Sequence, residues 1–213
     1  MSGGLRGTGL VADDLYMLAH DDQSGRPLLQ PRPLGIGLAG ALLAELMLGG
    51  SITLWQSGVA VARGPWPEDE LERHVLSALT GETEPHPVRE WLLFFARTAA
   101  ADVARRLENA GYLARSGRRV PWRPPRWIPV NPDWVFAALL RVRPAADPTR
   151  PAAYGAALAG LAAGSGLGFR LDQYRPSASR TAGDGAGWLD AGLCHLIAQV
   201  QAAVDSAVLA HRT

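Results

Sequence analysis

The chain has 213 residues, 47% of them hydrophobic and 19% charged, with a formal net charge of +1. That length and apolar content suffice for one domain with a sizeable core, and the near-neutral balance excludes a globally basic nucleic-acid binder while leaving room for a local patch. The single cysteine, Cys194, excludes an internal disulfide and a zinc–thiolate cluster; a reducing cytoplasmic compartment and an inert core thiol are the expectations. All 21 basic residues other than histidine are Arg, and Ala and Gly are plentiful, which suggests a G+C-rich bacterial genome.

In chain order, Leu10, Leu15, Leu18 and Ala19 supply a short helical face, ended by the polar turn from Asp21 to Gly25. This first apolar segment carries Asp13 and Asp14 and lacks a basic start with a cleavage site, so it does not read as a signal peptide. Pro27, Pro31 and Pro33 keep the next approach extended, and from Gly37 a helix follows, with Gly49 and Gly50 as its stop. Pro33 to Trp55 is long enough to cross a bilayer, but Glu45 and the Gly pair interrupt it, so a buried core helix is expected. Ser51 to Ala62 alternates as a strand pair turned at Gln56-Ser57-Gly58. Pro67 with Glu68, Asp69 and Glu70 starts a helix to about Thr80, because proline suits a first turn and the acids complement the helix dipole.

Pro87 opens a long helix through Asn109, with Trp91, Phe94, Phe95, Val103 and Leu107 on its buried side and Gly111 closing it. Tyr112 to Val130 reads as a β-hairpin or wing. Asn131-Pro132 begins a helix to Arg143, and Pro148 to Leu167 an Ala-rich one that is too weakly hydrophobic to insert well in a membrane. Arg170 to Gly187 has loop composition, and the last helix, Trp188 to His211, aligns Leu189, Leu193, Ile197, Val200, Val204 and Val208. The sum is a mainly α, single-domain helical bundle over residues 1–213 with small β-hairpins, a flexible N-terminus at 1–8 and a surface loop at 170–187.

Catalytic signals are sparse. Gly35-x-Gly37-x-x-Gly40 matches a dinucleotide fingerprint in form, but prolines precede it and no acid lies between Glu45 and Glu68, so helix packing explains these glycines better. Gly164-Ser165-Gly166-Leu167-Gly168 lacks a phosphate-loop lysine and reads as a helix terminus. The histidines at 20, 74, 86, 195 and 211 show no metal-ligand spacing, and His20 reads as a solvated helix end. No enzyme, metal or cofactor is expected.

Between Glu108 and Asp133 there is no acid, and Arg115, Arg118, Arg119, Arg123 and Arg126 give the wing a local charge of about +5, interleaved with Trp122, Trp127 and Ile128. Arginine forms bidentate bonds to phosphate and tryptophan favours the headgroup boundary, so this segment points to an acidic phospholipid surface. At about 1 kcal/mol per basic residue, the field supplies roughly 5 kcal/mol, a millimolar to sub-millimolar affinity unless insertion or a headgroup pocket adds to it. The bland alternative has the tryptophans packed beneath the hairpin and the arginines solvated or paired with acids such as Glu68 to Glu72.

The opening Asp14-Leu15-Tyr16-Met17-Leu18 and the core Gly37-Leu38-x-Gly40-Ala41-x-Leu43-x-Glu45-Leu46 resemble the Golgi phosphoprotein 3 family and its bacterial relatives. The likeness resumes at Val88 to Trp91 and Leu107 to Leu113. It implies a helical-bundle, non-enzymatic peripheral membrane adaptor that binds phosphatidylinositol 4-phosphate, inserts the hairpin Tyr112 to Val130 and gathers protein clients. Of the implied headgroup positions, Arg97 matches, while Gln30, Ala39 and Ala100 depart from the family residues. Headgroup contacts are thus assigned to Arg97 and the wing arginines, and insertion to Trp122, Trp127 and Ile128. Two competing readings are a winged-helix nucleic-acid binder using Arg105 and Arg106, and a protein-binding scaffold that oligomerises through the wing.

Overall fold

A computed structural model of the protein describes residues 7–55, 58–82, 84, 86–115, 126–142, 152–173 and 189–210. Helix α1 (Val11–Leu18) is buried on every side, Asp13 and Asp14 included. Helix α2 (Pro31–Leu48) begins six residues before the expected Gly37. Pro31 and Pro33 lie inside its first turn, where a missing N–H forfeits no intrahelical bond and the fixed φ already suits a helix. It stops as expected at Gly49, with Gly50 taking φ +73°.

Strands β1 (Ile52–Trp55) and β2 (Gly58–Val61) pair antiparallel from Ile52↔Val61 to Trp55↔Gly58, as the alternation implied; Gln56 and Ser57 of the expected turn lie outside the described residues. Helix α3 (Glu70–Gly81) starts later than Pro67 because Asp69 is its N-cap, accepting the Glu72 N–H.

The long helix expected over 87–109 is two helices, α4 (Val88–Phe95) and α5 (Ala99–Asn109). The chain turns at Ala96, whose carbonyl rests on Gly35 so closely that a Cβ there would collide with it. Phe94 falls outside the Val88–Trp91–Leu92–Phe95 face of α4 and is 54% exposed, while Trp91, Phe95, Val103 and Leu107 are buried.

Strands β3 (Leu113–Arg115) and β4 (Trp127–Pro129) form the root of the wing, in register Leu113↔Pro129. Helix α6 (Asp133–Arg141) follows. Helix α7 (Ala152–Ala162) ends at its glycines as expected: the π-helical turn Ala163–Leu167 is kinked at Gly166, φ +95°, and a separate short helix α8 (Gly168–Gln173) follows. Arg170 to Gln173 therefore belong to a helix rather than to a loop, and 174–187 lie outside the described residues. Helix α9 (Ala191–Leu209) buries Leu193, Val200 and Val204 as expected, while Val208 is 37% exposed. Cys194 is exposed, not a core thiol, because it sits one position off the Leu193–Leu196–Val200 face.

Helix α2 is the axle, packing against α1, α4, α5, α7 and α9. Its glycines act as spacers: side chains at Gly37 and Gly40 would collide with Ser165 and Val200. Three helical stretches, Pro31–Leu48, Ala152–Asp172 and Ala191–Leu209, are long and apolar enough to cross a membrane by length and composition. In α2, 78% of that stretch is buried by the protein's own fold.

Two ionic groups are buried around α1. Arg106 of α5 reaches Asp13 at 2.8 Å, Glu45 at 3.2 Å and Asp69 at 3.0 Å. Arg141 of α6 grips Asp14 at 2.5 Å, and the Tyr154 hydroxyl donates to the same carboxylate at 2.7 Å. These acids, read from the sequence only as breaks in an apolar run, tie the first helix to the rest of the bundle.

Candidate functional site

The N-terminal end of α2 gathers cationic groups from distant parts of the chain. Arg32 is exposed in the first turn of α2, which contains no acid. The contact of Ala96 with Gly35 sets the α4–α5 turn against this same end and leaves Arg97 exposed there. The turn after α1 is fixed by Asp21, whose carboxylate accepts from the Ser24 N–H at 2.7 Å and Oγ at 2.6 Å. Gly25, at φ +61°, closes that turn against the Trp127 carbonyl so tightly that only a hydrogen fits, which seats β4 on it. Arg26 and Arg126 are both exposed beside this contact.

The positive end of the α2 dipole adds to these charges. Pro31 and Pro33 carry no N–H and Leu34 donates to the Gln30 carbonyl at 3.0 Å, so Arg32 is the remaining backbone donor of the turn. An anion here would be held by guanidinium groups and the helix field rather than by a nest of amides. A groove of about 360 Å³ lies beside Gln30, between Leu29, Pro33, the π turn, Gln201 and Val204. Exposed Leu28, Phe169, Val208 and Leu209 add apolar surface around it.

Of the headgroup positions implied by resemblance, Gln30 is exposed at the α2 N-cap, Ala39 is fully buried, and Ala100 is half-buried in the first turn of α5. In the wing, Arg115 pairs with Glu108 at 2.8 Å and its guanidinium lies 5.7 Å from the Trp127 ring centroid. The Trp127 indole N–H donates to Glu108 at 3.0 Å, and with the Arg115 bond it holds that carboxyl below its ordinary pKa. Trp127 and Ile128 are half-buried, and Trp127 packs against the core. Arg118, Arg119, Trp122 and Arg123 lie outside the described residues. The structure thus sets Arg97 near the start of α2 with Arg32, and Arg126 across the Gly25–Trp127 contact from Arg26; sequence reasoning missed Arg26 and Arg32. Nothing local distinguishes those two; Arg32 counts because the α4–α5 turn sits on α2, and Arg26 because β4 seats on Gly25.

The nucleic-acid reading loses half of its proposed contact pair. Arg105 is exposed beside Asp102 at 3.4 Å, but Arg106 is only 9% exposed and surrounded by carboxylates, so it cannot reach a phosphate without unfolding α5. An acid of the 68–72 stretch, Asp69, pairs with Arg106, whereas the expected partners of that stretch are the wing arginines, of which Arg115 pairs with Glu108. Among the described residues no group of His, Cys, Asp or Glu is arranged to hold a metal. No curated protein matches the chain. A family model for Golgi phosphoprotein 3 (GPP34) matches residues 11–208, from the first residue of α1 nearly to the end of α9. The chain belongs to the Golgi phosphoprotein 3 (GPP34) family.

Proposed function

We propose that the protein is a non-enzymatic adaptor of the cytoplasm that attaches peripherally to membranes by binding acidic phospholipid headgroups at the α2 N-terminal end. The observation that carries this reading is the exposure of Arg32 and Arg97 near the start of α2, with exposed Arg26 and Arg126 flanking the Gly25–Trp127 contact at the root of a wing that has no acid from 109 to 132. Family membership fits a lipid-binding adaptor role in general. Phosphatidylinositol 4-phosphate is one acidic lipid among those the end would take, because Gln30, Ala39 and Ala100 stand where the resemblance implies headgroup ligands. The remaining wing arginines add long-range attraction, with Trp122 the inserting ring. A protein client would be gathered once the adaptor is on the membrane.

Co-sedimentation tests this, using vesicles of neutral lipid, mixed acidic lipid, and neutral lipid doped with phosphatidylinositol 4-phosphate, at low and physiological salt. Binding to both kinds of acidic vesicle is expected, with loss in an Arg32→Ala/Arg97→Ala double variant and in Trp122→Ala. Absence of binding to any vesicle at low salt overturns the reading. Retention of binding by the arginine double variant moves the site away from α2.

A further inference from the structure

Four helices meet at the buried Arg106 cluster: α1 through Asp13, α2 through Glu45, α3 through its N-cap Asp69, and α5 through Arg106 itself. Glu72, half-buried on α3, adds a further acid, its pKa raised by burial and then by Asp69. The neighbouring cation, Arg141, is taken by Asp14, which also accepts from Tyr154. With its three acids ionised, the Arg106 cluster would carry a net −2 in the core, where an uncompensated charge is expelled or neutralised by a proton.

Hydrogen bonds say where that proton belongs. Glu45 Oε1 accepts from the Ala12 N–H at 2.6 Å and from Arg106 at 3.3 Å, and Oε2 accepts from Arg106 at 3.2 Å. A hydrogen on either oxygen would face donors. Asp69 Oδ1 accepts from the Glu72 N–H and from Arg106, both at 3.0 Å. Asp13 is different: Oδ1 accepts from Arg106, while buried Oδ2 meets no N–H donor among the described residues, and the Thr8 side chain beside Asp13 is a hydroxyl that can accept as well as donate. The Thr8 hydroxyl lines the same small internal space.

We propose that the Asp13–Glu45–Asp69–Arg106 cluster is a proton-binding site and pH switch, holding one proton on Asp13 Oδ2 in neutral solution and uncapping α3 when it is lost. Burial drives Asp13 upward and Glu45 up to about 8, against the pull of Arg106. The two carboxyls titrate as a pair, so geometry makes the assignment. Once the proton leaves, one guanidinium faces three full charges. Asp69, with 24% of its side chain exposed, is the one that can turn to water. Its departure removes the bond to the Glu72 N–H that starts α3.

The sign follows from linkage. The folded state keeps a proton that the unfolded chain releases near pH 4, so stability falls as pH rises from about 4 through the folded midpoint and is level above it. Asp13→Asn removes a charge that, on this proposal, is absent at neutral pH. Its melting temperature at pH 7 is expected within about 3 °C of the wild type and to show no decline between about pH 6 and 9. Glu45→Gln replaces the acceptor of the Ala12 N–H and of two Arg106 bonds with a group that brings an amide donor against them, and is expected to lose about 10 °C or more. In the wild type, carbon NMR of the carboxyls is expected to show one Asp midpoint displaced upward from the ordinary aspartate range, and amide protection at Glu72 to fall roughly fivefold across that midpoint. Failure of Asp13→Asn to fold, a loss as large as that of Glu45→Gln, or the absence of any Asp midpoint displaced upward from the ordinary aspartate range would overturn the proton site. Unchanged protection at Glu72 would overturn the uncapping.

Discussion

At the scale of single residues, His20 shows how tertiary contact reverses a local reading. Its ring is 6% exposed, stacks on Tyr16 with centroids 3.9 Å apart, and donates from Nδ1 to the Tyr16 carbonyl at 2.8 Å. A bridge to Pro27 and the Arg170 guanidinium on its own carbonyl cover what the sequence presents as a helix end beside Asp21 and Asp22. Burial lowers the ring's pKa to about 4. The unfolded chain therefore takes up a proton that the folded one refuses, so stability present above pH 6.5 is lost as pH falls toward 4, by at most about 3 kcal/mol. Urea unfolding across that window is expected to show the loss in the wild type and not in His20→Gln. Trp127 carries a second residue-scale expectation, because its N–H is held by Glu108. Trp127→Phe keeps the ring and drops the bond, costing about 1–2 kcal/mol in denaturant unfolding. Vesicle binding should stay within about twofold of wild type if Trp122 is the inserting ring, a difference of a few tenths of a kcal/mol.

Among the elements, the informative one is the break between α4 and α5. No proline or glycine marks residues 96–98, and the apolar spacing runs on through them, so a single helix is the natural reading of 87–109. The break exists because Ala96 must seat on Gly35, one of the spacers that let α2 be approached from all sides. Gly35→Ala is expected to cost about 1–3 kcal/mol through overpacking, read from chemical unfolding. It should also weaken vesicle binding, because it displaces Arg97 from the start of α2. Gly50→Ala is the useful comparison: its φ of +73° is strained for alanine, yet nothing lies within 4 Å of the added Cβ. A cost of about 1–2 kcal/mol with unchanged vesicle binding is expected there. The wing shows the opposite balance of local and distant information. Its two strands at Leu113–Arg115 and Trp127–Pro129 were legible from turn composition, while the seating of β4 on Gly25 depends on a turn some hundred residues earlier in the chain.

For the whole molecule, a net charge of +1 conceals an uneven distribution, with Arg32 and Arg97 exposed near the start of α2 and the α1 acids paired inside. Vesicle binding is accordingly expected to fall steeply with salt, and Arg32→Ala and Arg97→Ala each to weaken it about fivefold, near 1 kcal/mol apiece. Titration of binding against acidic lipid at two ionic strengths checks both. The sequence by itself determined the helical class, the central buried α2, both hairpins and the family, because apolar periodicity, glycine stops and a short motif are local patterns that survive without coordinates. It also marked the basic wing, since a run without acids is visible in one dimension. Only the tertiary structure decided that Arg106 is an internal anchor, that Asp13, Asp14 and Glu45 are core groups, that Arg97 lies near the start of α2, and that Arg26 and Arg126 flank one contact. The physical reason is that a charge is interpreted by what surrounds it. Those surroundings are assembled from positions as far apart as Asp14 and Arg141, whose proximity no local spacing encodes.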